Sequence, residues 1–250
     1  MRIYLCEDYK AMSRRAANII SAQVITKPDS VLGLATGGTP VGAYQQLVEW
    51  YNKGDLSFAE IKTVNLDEYL GLSPHHEQSY RYFMNTNLFD HIDVKKENTH
   101  VLNGLAKDPE AECAAYNQLI RDLGGIDLQL LGMGHNGHIA FNEPGDDFGL
   151  ETHVVTLTDR TIDANTRFFE NRDEVPRHAL SMGIKNIMQA RRILIIVSGE
   201  EKADTVCKAF AGPVTKDVPA SVLQLHPDVT LVGDKAALSK LVEAGVPVCG

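Results

Sequence analysis

Two glycines between an apolar run and a helical pattern form the first segment whose residue types suggest chemistry. The run is LATGGTP at 34–40, and it predicts a turn that exposes backbone N–H groups at the start of a helix. We predict that Gly37, Gly38 and Thr39 bind a phosphate group, with Thr39 as the helix N-cap and Pro40 as the first helical residue. The alternative is a tight turn that binds nothing. The segment matches neither of the glycine-rich motifs that bind nucleotides.

Two basic residues could complete a phosphate pocket. Arg167 lies in the segment ANTRFF, and Lys202 lies in the first turn of a helix predicted after VSG at 197–199. A lysine in the first turn of a helix opposes the helix dipole, and an anionic ligand at that end would relieve the repulsion. Both residues are therefore candidates for phosphate binding, and the alternative is that they are ordinary solvated charges on helices.

Two adjacent acids, Asp67 and Glu68, follow a second apolar run at 63–66. We expect one of the two carboxylates to face the crevice at the end of this strand. A carboxylate beside a bound sugar can remove a proton from a carbon next to a carbonyl group, which is the step that aldose-ketose isomerisation requires. The alternative is a structural acid that caps a turn or pairs with a base.

The segment GMGHNGHIAFNEPG at 132–145 is the most informative, because it is rich in glycine and polar side chains just after an apolar strand. His138 can move a proton near neutral pH, and Asn136 and Glu143 are close enough in sequence to orient its ring. His135 and His138 are three residues apart, but no further cysteine or paired histidine completes a set of zinc ligands. We therefore predict no metal site.

The elements that position these segments alternate between short apolar strands and longer helical patterns. This order predicts an α/β protein with a three-layer Rossmann-like fold and a mainly parallel central sheet. Ligands of such sheets bind beyond the carboxyl ends of the strands, where each segment above falls. Strands are predicted at 31–35, 63–66, 128–131, 154–157, 193–197 and 230–232, and helices at 7–25, 40–51, 79–90, 109–123, 161–169, 200–210 and 235–244.

The composition restricts the class of protein. The formal net charge of −9 over 250 residues argues against nucleic acid as a partner. The amino terminus, MRIYLCED, leads directly into a helical pattern without a secretory signal, and the longest apolar run, 193–197, is too short to cross a membrane. The four cysteines contain no CxxC pair. We predict a cytoplasmic, single-domain enzyme that acts on a small molecule, with neither nucleic acid nor membrane as a partner.

Four of these segments together resemble the ordered motifs of the glucosamine-6-phosphate deaminases. They are TGGTP at 36–40, LDEY at 66–69, GHIAFNEP at 137–144 and SGEEKA at 198–203, and the similarity covers essentially the whole chain. The run HIAFNEP is highly specific, whereas the GGTP turn is shared with 6-phosphogluconolactonases. The resemblance implies conversion of glucosamine 6-phosphate and water to fructose 6-phosphate and ammonia, within amino sugar catabolism, without a cofactor.

The same resemblance implies a role for each residue. Asp67 would move a proton from carbon 2 to carbon 1 through an enolamine, and His138 would assist opening of the pyranose ring. Glu143 and Asn136 would hold that histidine. The backbone at 37–39 would bind the phosphate, with Arg167 and Lys202 as its charged partners.

The chain departs from the family pattern at two places. Many members carry aspartate where this chain has Asn136, and an amide cannot stabilise an imidazolium as an anion can. The chain is also short at its carboxyl end compared with hexameric members that N-acetylglucosamine 6-phosphate activates. We therefore expect weak or absent activation and a monomer, with a homo-oligomer left open.

Two other functions compete with the deaminase. A sugar-phosphate lactonase of the 6-phosphogluconolactonase type would use the same phosphate turn but has no clear need for the motifs at 66–69 and 141–144. A non-catalytic sugar-phosphate sensor could keep the basic residues while lacking proton-transfer groups. We also predict that the stretch from about 146 to 177 acts as a lid over the site.

Overall fold

The computed structural model of the chain describes residues 1–145, 147–166 and 169–250, except for the side chains at 160, 164 and 165. Arg167 therefore lies outside the described residues. In chain order the strands are β1 (Arg2–Cys6), β2 (Val31–Leu34), β3 (Lys62–Asn65), β4 (Asp67–Tyr69), β5 (Thr99–His100), β6 (Leu128–Leu131), β7 (His153–Thr156), β8 (His178–Ser181), β9 (Ile193–Val197) and β10 (Val229–Asp234). The α-helices are α1 (Tyr9–Thr26), α2 (Val41–Asn52), α3 (Tyr80–Asn87), α4 (Pro109–Asp122), α5 (Asp159–Asn165), α6 (Ile184–Met188), α7 (Ala203–Ala211) and α8 (Lys235–Glu243).

A seven-stranded sheet forms the centre of the described fold, with the order β1-β10-β9-β6-β2-β3-β5. All of its pairings are parallel. Every residue of β2, β6, β9 and β10 is buried, which is expected for parallel strands that helices cover on both faces. The predicted α/β class and mainly parallel sheet are therefore confirmed.

Side-chain caps explain where several helices begin. Asp8, Asp108 and Asp234 each accept a hydrogen bond from a backbone N–H three residues later, at the starts of α1, α4 and α8. Ser79 does the same for α3. Asp8 lies two residues after β1, and Asp234 is the last residue of β10, so each helix begins almost as soon as its strand ends.

The order of strands changes direction between β2 and β6. From β2 the chain continues to β3 on one side, and it later returns through β6 on the other side of β2. Loops that leave two strands in opposite directions open a crevice between them at their carboxyl ends. The segments at 35–40 and 132–145 follow β2 and β6, so both border this crevice.

A second sheet, with the order β4-β8-β7, is antiparallel. The strand predicted at 154–157 is present as β7, but it belongs to this small sheet rather than to the βαβ core. The Asp67–Glu68 pair, predicted to lie just past a strand, is itself part of β4 and pairs with Ser181 and Leu180. Sequence alternation could not reveal this pairing, because the partner strand is more than 100 residues away in the chain.

The sequence predicted that the amino terminus leads directly into a helix, and this prediction is wrong. Residues Arg2–Cys6 form β1, which pairs with β10. β1 mixes exposed and buried positions, a pattern that does not resemble a buried parallel strand. β5, β8 and α6 were not predicted either, and each is five residues or shorter. Among the described residues, no helix is long and apolar enough to cross a membrane.

Candidate active site

A cavity of about 390 Å³ lies at the carboxyl ends of β2, β3, β6 and β9. Its wall contains seven of the residues predicted from sequence to act on a substrate: Gly37, Gly38, Thr39, Asp67, Asn136, His138 and Lys202. Glu143 is not in the wall, but it contacts Asn136 directly. The fold therefore brings together segments that are more than 160 residues apart in the chain.

The turn after β2 has the glycine geometry expected of an anion-binding loop. Gly37 has φ of 88°, a conformation that residues with a Cβ rarely adopt. Helix α2 begins one residue later than predicted, with Pro40 rather than Thr39 at the N-cap, and no side chain caps it. The prediction of a Thr39 cap is therefore wrong. Pro40 already has helical φ and ψ, and its carbonyl oxygen accepts the first helical hydrogen bond, from Tyr44.

Tyr9 fixes the far side of this turn, a contact that the sequence did not suggest. Its hydroxyl donates to the Gly38 carbonyl oxygen at 3.1 Å and accepts from the Gly42 N–H at 2.9 Å. The hydroxyl thus joins α1 to the turn after β2 and to the first turn of α2. Tyr9 itself is not part of the cavity wall, so it fixes the backbone at Gly38 without lining the cavity.

Lys202 reaches the cavity from the turn after β9. Its ammonium group donates to the Met133 carbonyl oxygen at 2.9 Å, which directs it toward the loop after β6. Asp234 holds this turn in place, because it accepts hydrogen bonds from the Ser198 hydroxyl and the Gly199 N–H. A positive charge therefore lies at the same cavity as the amides of 37–39, as an anion site requires.

The two adjacent acids point in opposite directions, because successive side chains of a strand alternate. Asp67 lines the cavity. The Glu68 carboxylate instead accepts backbone N–H groups of Tyr69, Tyr80 and Arg81 at 2.9 to 3.0 Å. Glu68 therefore binds the start of α3, which is the structural role that the sequence left open for one of the two acids. Burial raises the pKa of the Glu68 carboxyl in spite of these hydrogen bonds.

Asp67 is a buried residue, only 7% exposed, and it lines the cavity. Burial first, and then the charge of Glu68, raises the pKa of Asp67 from 3.8 to about 8. A carboxylate with a raised pKa is a stronger base than a solvated one. Its environment is thus the partly desolvated one that proton abstraction calls for.

This pKa predicts how stability depends on pH. The folded state holds the Asp67 proton up to about pH 8, whereas an unfolded chain releases it near 4, so folding is progressively disfavoured as pH rises through this window. We expect the melting temperature of the native protein to fall more between about pH 5 and pH 8 than that of Asp67→Asn, which has no proton to release. Thermal melts across this range test it, and parallel curves for the two proteins would contradict it.

The histidine loop depends on a close approach between its backbone and the His138 ring. A Cβ at Gly134 would lie 2.2 Å from a ring carbon, so only glycine fits there. The Gly134 N–H donates to the His138 carbonyl oxygen at 2.9 Å and closes the turn. His138 Nδ1 lies 3.5 Å from Glu143 Oε1, close enough for attraction, but forms no hydrogen bond with a described residue.

Asn136 was predicted to orient the His138 ring directly. The structure instead shows it bonded to the His138 backbone, and ring Nδ1 accepts or donates no hydrogen bond among the described residues. The Asn136 amide oxygen accepts the His138 backbone N–H at 3.2 Å, and its amide nitrogen donates to Glu143 Oε2 at 2.5 Å. The carboxylate can only accept, so this orientation of the amide is the one that satisfies both neighbours. Asn136 therefore acts on the histidine through the loop backbone and through Glu143.

Glu143 is held as an anion. Burial would raise the pKa of its carboxyl, but the nearby His138 ring and hydrogen bonds from Thr161 and Asn136 lower it to about 2. Thr161 belongs to α5, and its hydroxyl donates to Glu143 Oε1. The cavity thus contains a histidine whose Nδ1 faces a permanently ionised carboxylate.

Aromatic rings form one wall of the site. Tyr80 and Phe141 both line the cavity, and their rings stack at 6.2 Å with an interplanar angle of 12°. Tyr69 packs against both. Tyr80 and Phe141 line the same cavity as Asp67, so part of the surface around this carboxyl is apolar.

Comparison with known proteins agrees with this geometry. The model of the family described as glucosamine-6-phosphate isomerases/6-phosphogluconolactonase matches residues 7–232. The chain belongs to this family.

Several curated members of the family are similar over nearly their full length. A glucosamine-6-phosphate deaminase of Lachnoclostridium phytofermentans is 62% identical over 232 residues, covering 93% of this chain and 98% of the relative. A glucosamine-6-phosphate deaminase of Geobacillus sp. is 55% identical over 239 residues, covering 96% and 95%.

Solved structures of the family show the same fold. One described as a monomeric glucosamine-6-phosphate deaminase aligns with a TM-score of 0.94 and 50% identity, covering 96% of this chain and all of that one. A 6-phosphogluconolactonase from Trypanosoma brucei aligns with a TM-score of 0.78 at 18% identity, covering 96% and 98%. The second likeness concerns the fold alone.

The family resemblance gave no indication of Tyr9, Tyr80 or Thr161. Each acts through a contact between segments that are distant in sequence, and the only local signal was a hydroxyl group near a predicted helix start. Among the described residues, no cluster of three or more histidine, cysteine, aspartate or glutamate side chains could hold a metal ion. The absence of a metal or cofactor requirement stays a prediction.

Proposed function

We propose that the chain is a glucosamine-6-phosphate deaminase, which converts glucosamine 6-phosphate and water to fructose 6-phosphate and ammonia. The observation that carries the proposal is a single cavity with glycine amides and Lys202 in its wall, together with a buried carboxyl at Asp67 and an imidazole at His138. The curated relatives at 52% to 62% identity, all named as this enzyme, support it.

The phosphate of the substrate binds the backbone at 37–39 and the Lys202 ammonium. Backbone N–H groups at the start of α2 supply oriented donors and the positive end of the helix dipole. Lys202 adds a full charge from the neighbouring turn. Arg167, which lies outside the described residues, is proposed as the second charged partner on the strength of the sequence motif alone. With the phosphate held there, carbons 1 and 2 of the sugar point toward Asp67 and His138 in the same cavity.

Ring opening comes first and uses His138. The ring oxygen gains a proton and the hydroxyl on carbon 1 loses one, which leaves an aldehyde at carbon 1. His138 carries this proton, because its imidazole lies in the cavity wall and Glu143 Oε1, 3.5 Å from Nδ1, orients the ring. Glu143 and Asn136 orient the ring without contacting the sugar.

Asp67 then performs the isomerisation. Its carboxylate takes the proton from carbon 2 to form an enolamine and returns it to carbon 1, which leaves an imine at carbon 2. Water adds to this carbon and ammonia leaves, so the products are fructose 6-phosphate and ammonia. The substrate amine carries positive charge close to Asp67 and so favours the ionised carboxylate at neutral pH.

The direct test is an assay of both products from glucosamine 6-phosphate. Equal amounts of ammonia and fructose 6-phosphate are expected, with little hydrolysis of 6-phosphogluconolactone in a parallel assay. Lactone hydrolysis without ammonia release would favour the lactonase. Tight binding of fructose 6-phosphate without turnover at any pH would favour the sensor.

Lys202→Gln is expected to raise KM by about 10- to 100-fold with a small change in kcat, because a charge-assisted hydrogen bond to the phosphate is lost. Lys208→Gln is the matched control, since Lys208 is an exposed lysine of α7 outside the cavity wall. Steady-state kinetics of both variants provide the measurement. A Lys202 variant with native KM would remove this residue from the phosphate site.

We also propose that the protein is a monomer without allosteric activation, like the monomeric deaminase that it resembles. Light scattering should give a mass near 27.5 kDa, and N-acetylglucosamine 6-phosphate should leave the rate unchanged. The single-domain prediction is supported by a core cluster with members from Ile3 to Leu241.

The lid at about 146–177 remains a proposal, which crystals with and without product would test. A cytoplasmic location fits a phosphorylated substrate and stays a prediction.

A further inference from the structure

Thr161 links helix α5 to Glu143, the carboxylate that faces His138. It lies in α5, which follows β7, and it is buried. Its hydroxyl donates to Glu143 Oε1 and accepts from the Thr158 hydroxyl at 3.1 Å. The direction of both bonds is determined, because a carboxylate cannot donate and the Thr161 proton is already used.

Glu143 is therefore held from two sides. Asn136, in the loop after β6, donates to Oε2, and Thr161 donates to Oε1. Oε1 is also the oxygen that lies 3.5 Å from His138 Nδ1. The position of α5 thus decides where the oxygen facing the imidazole lies.

We infer that Thr161 is a positioning residue for the proposed deamination, in which its hydroxyl orients Glu143 Oε1 toward His138. The inference rests on the proposed function. Thr161 was not among the residues expected from the sequence. Thr158, the N-cap of α5, supports it by binding both the N–H and the hydroxyl of Thr161.

The hydroxyl also keeps Glu143 ionised. The Thr161 hydrogen bond is one of the contacts that lower the pKa of this carboxyl, so the hydroxyl stabilises the anion that faces the imidazole. The other titratable or charged groups in the described cavity wall are Asp67, Tyr80, His135, His138 and Lys202. His138 Nδ1 lies at ion-pair distance from Glu143, so loss of the Thr161 hydroxyl should act through this imidazole and lower kcat rather than raise KM.

The experiment compares Thr161→Val, which keeps the shape without the hydroxyl, with Thr161→Ser, which keeps the hydroxyl. We expect Val to lower kcat by about 10-fold and to leave KM and inhibition by inorganic phosphate within about twofold of native. Ser should restore kcat to near the native value. Thr156→Val, on an exposed position of β7, is the matched control.

The native protein is assayed first, so that two failures remain distinct. No turnover there contradicts the proposed function, and the inference with it. Native turnover with an unchanged Val variant, or a Ser variant as impaired as Val, contradicts only the role of the hydroxyl. A raised KM at constant kcat would make Thr161 a substrate-binding residue instead.

A second comparison keeps the inference testable if the Val variant is unstable. In a Glu143→Ala background the hydroxyl has no side chain at 143 to orient, so Thr161→Ser and Thr161→Ala should have equal kcat. In the native background they should differ by about 10-fold. Equal differences in both backgrounds would overturn the inference.

Discussion

Asp67→Asn is expected to lower kcat for ammonia release by about 10³-fold. The amide has nearly the same shape as the carboxylate but cannot accept a proton from carbon 2. Asp67 is the carboxyl in the described cavity wall, since Glu68 is turned away toward the start of α3. The substitution leaves the residues that bind the phosphate untouched, so inhibition by inorganic phosphate should stay within about threefold of native.

The step that is lost can be separated from binding. Incorporation of solvent deuterium at carbon 1 of fructose 6-phosphate reports proton transfer, and it should disappear together with ammonia release. Asp90→Asn serves as a control for the same chemical change, because its side chain is 51% exposed and outside the cavity wall. Turnover of the Asp67 variant within about tenfold of native would assign the base to another residue.

The segments of the site could be predicted from the sequence because each combines a local signal with a strand end. Two glycines after β2, an acid pair after β3 and a glycine-rich loop after β6 must all meet at one edge of a parallel sheet. The order of the strands, and hence the crevice between β2 and β6, follows from pairings between segments distant in the chain.

The sequence predicted which residues belong to the site better than it predicted the contacts between them. Asn136 and His138 are two residues apart, which suggested a contact between side chains, but the tight turn directs the Asn136 amide to the backbone and to Glu143. The choice between Asp67 and Glu68 also depends on the pairing of β4 with β8, which the sequence does not reveal. Side-chain direction follows from register, and register here is a tertiary property.

Hydroxyl groups that position the site come from remote segments. Tyr9 contacts the carbonyl of Gly38 across 29 residues, and Thr161 contacts Glu143 across 18. A hydroxyl has no distinctive local pattern, because tyrosine and threonine are common in helices for reasons of packing. Such residues become visible only when the donor and the acceptor are both located.

A double-mutant cycle on His138 and Glu143 should show strongly non-additive effects. His138→Gln is expected to lower kcat by about 10²- to 10³-fold, because proton transfer during ring opening is lost. Glu143→Gln should have an effect of similar direction, since the ring then lacks the anion 3.5 Å from Nδ1. Because Glu143 acts through the histidine, the double variant should be about as active as His138→Gln alone.

The cycle separates orientation from direct catalysis. If the two losses multiply in the double variant, Glu143 has an effect on the substrate that does not pass through His138, and the proposed order of contacts from Asn136 and Thr161 to Glu143 to His138 is wrong. Glu60→Gln provides the control for a glutamate, because its side chain is 65% exposed and far from the described cavity wall. Phosphate inhibition should be unchanged throughout, since neither side chain belongs to the part of the cavity that binds the phosphate.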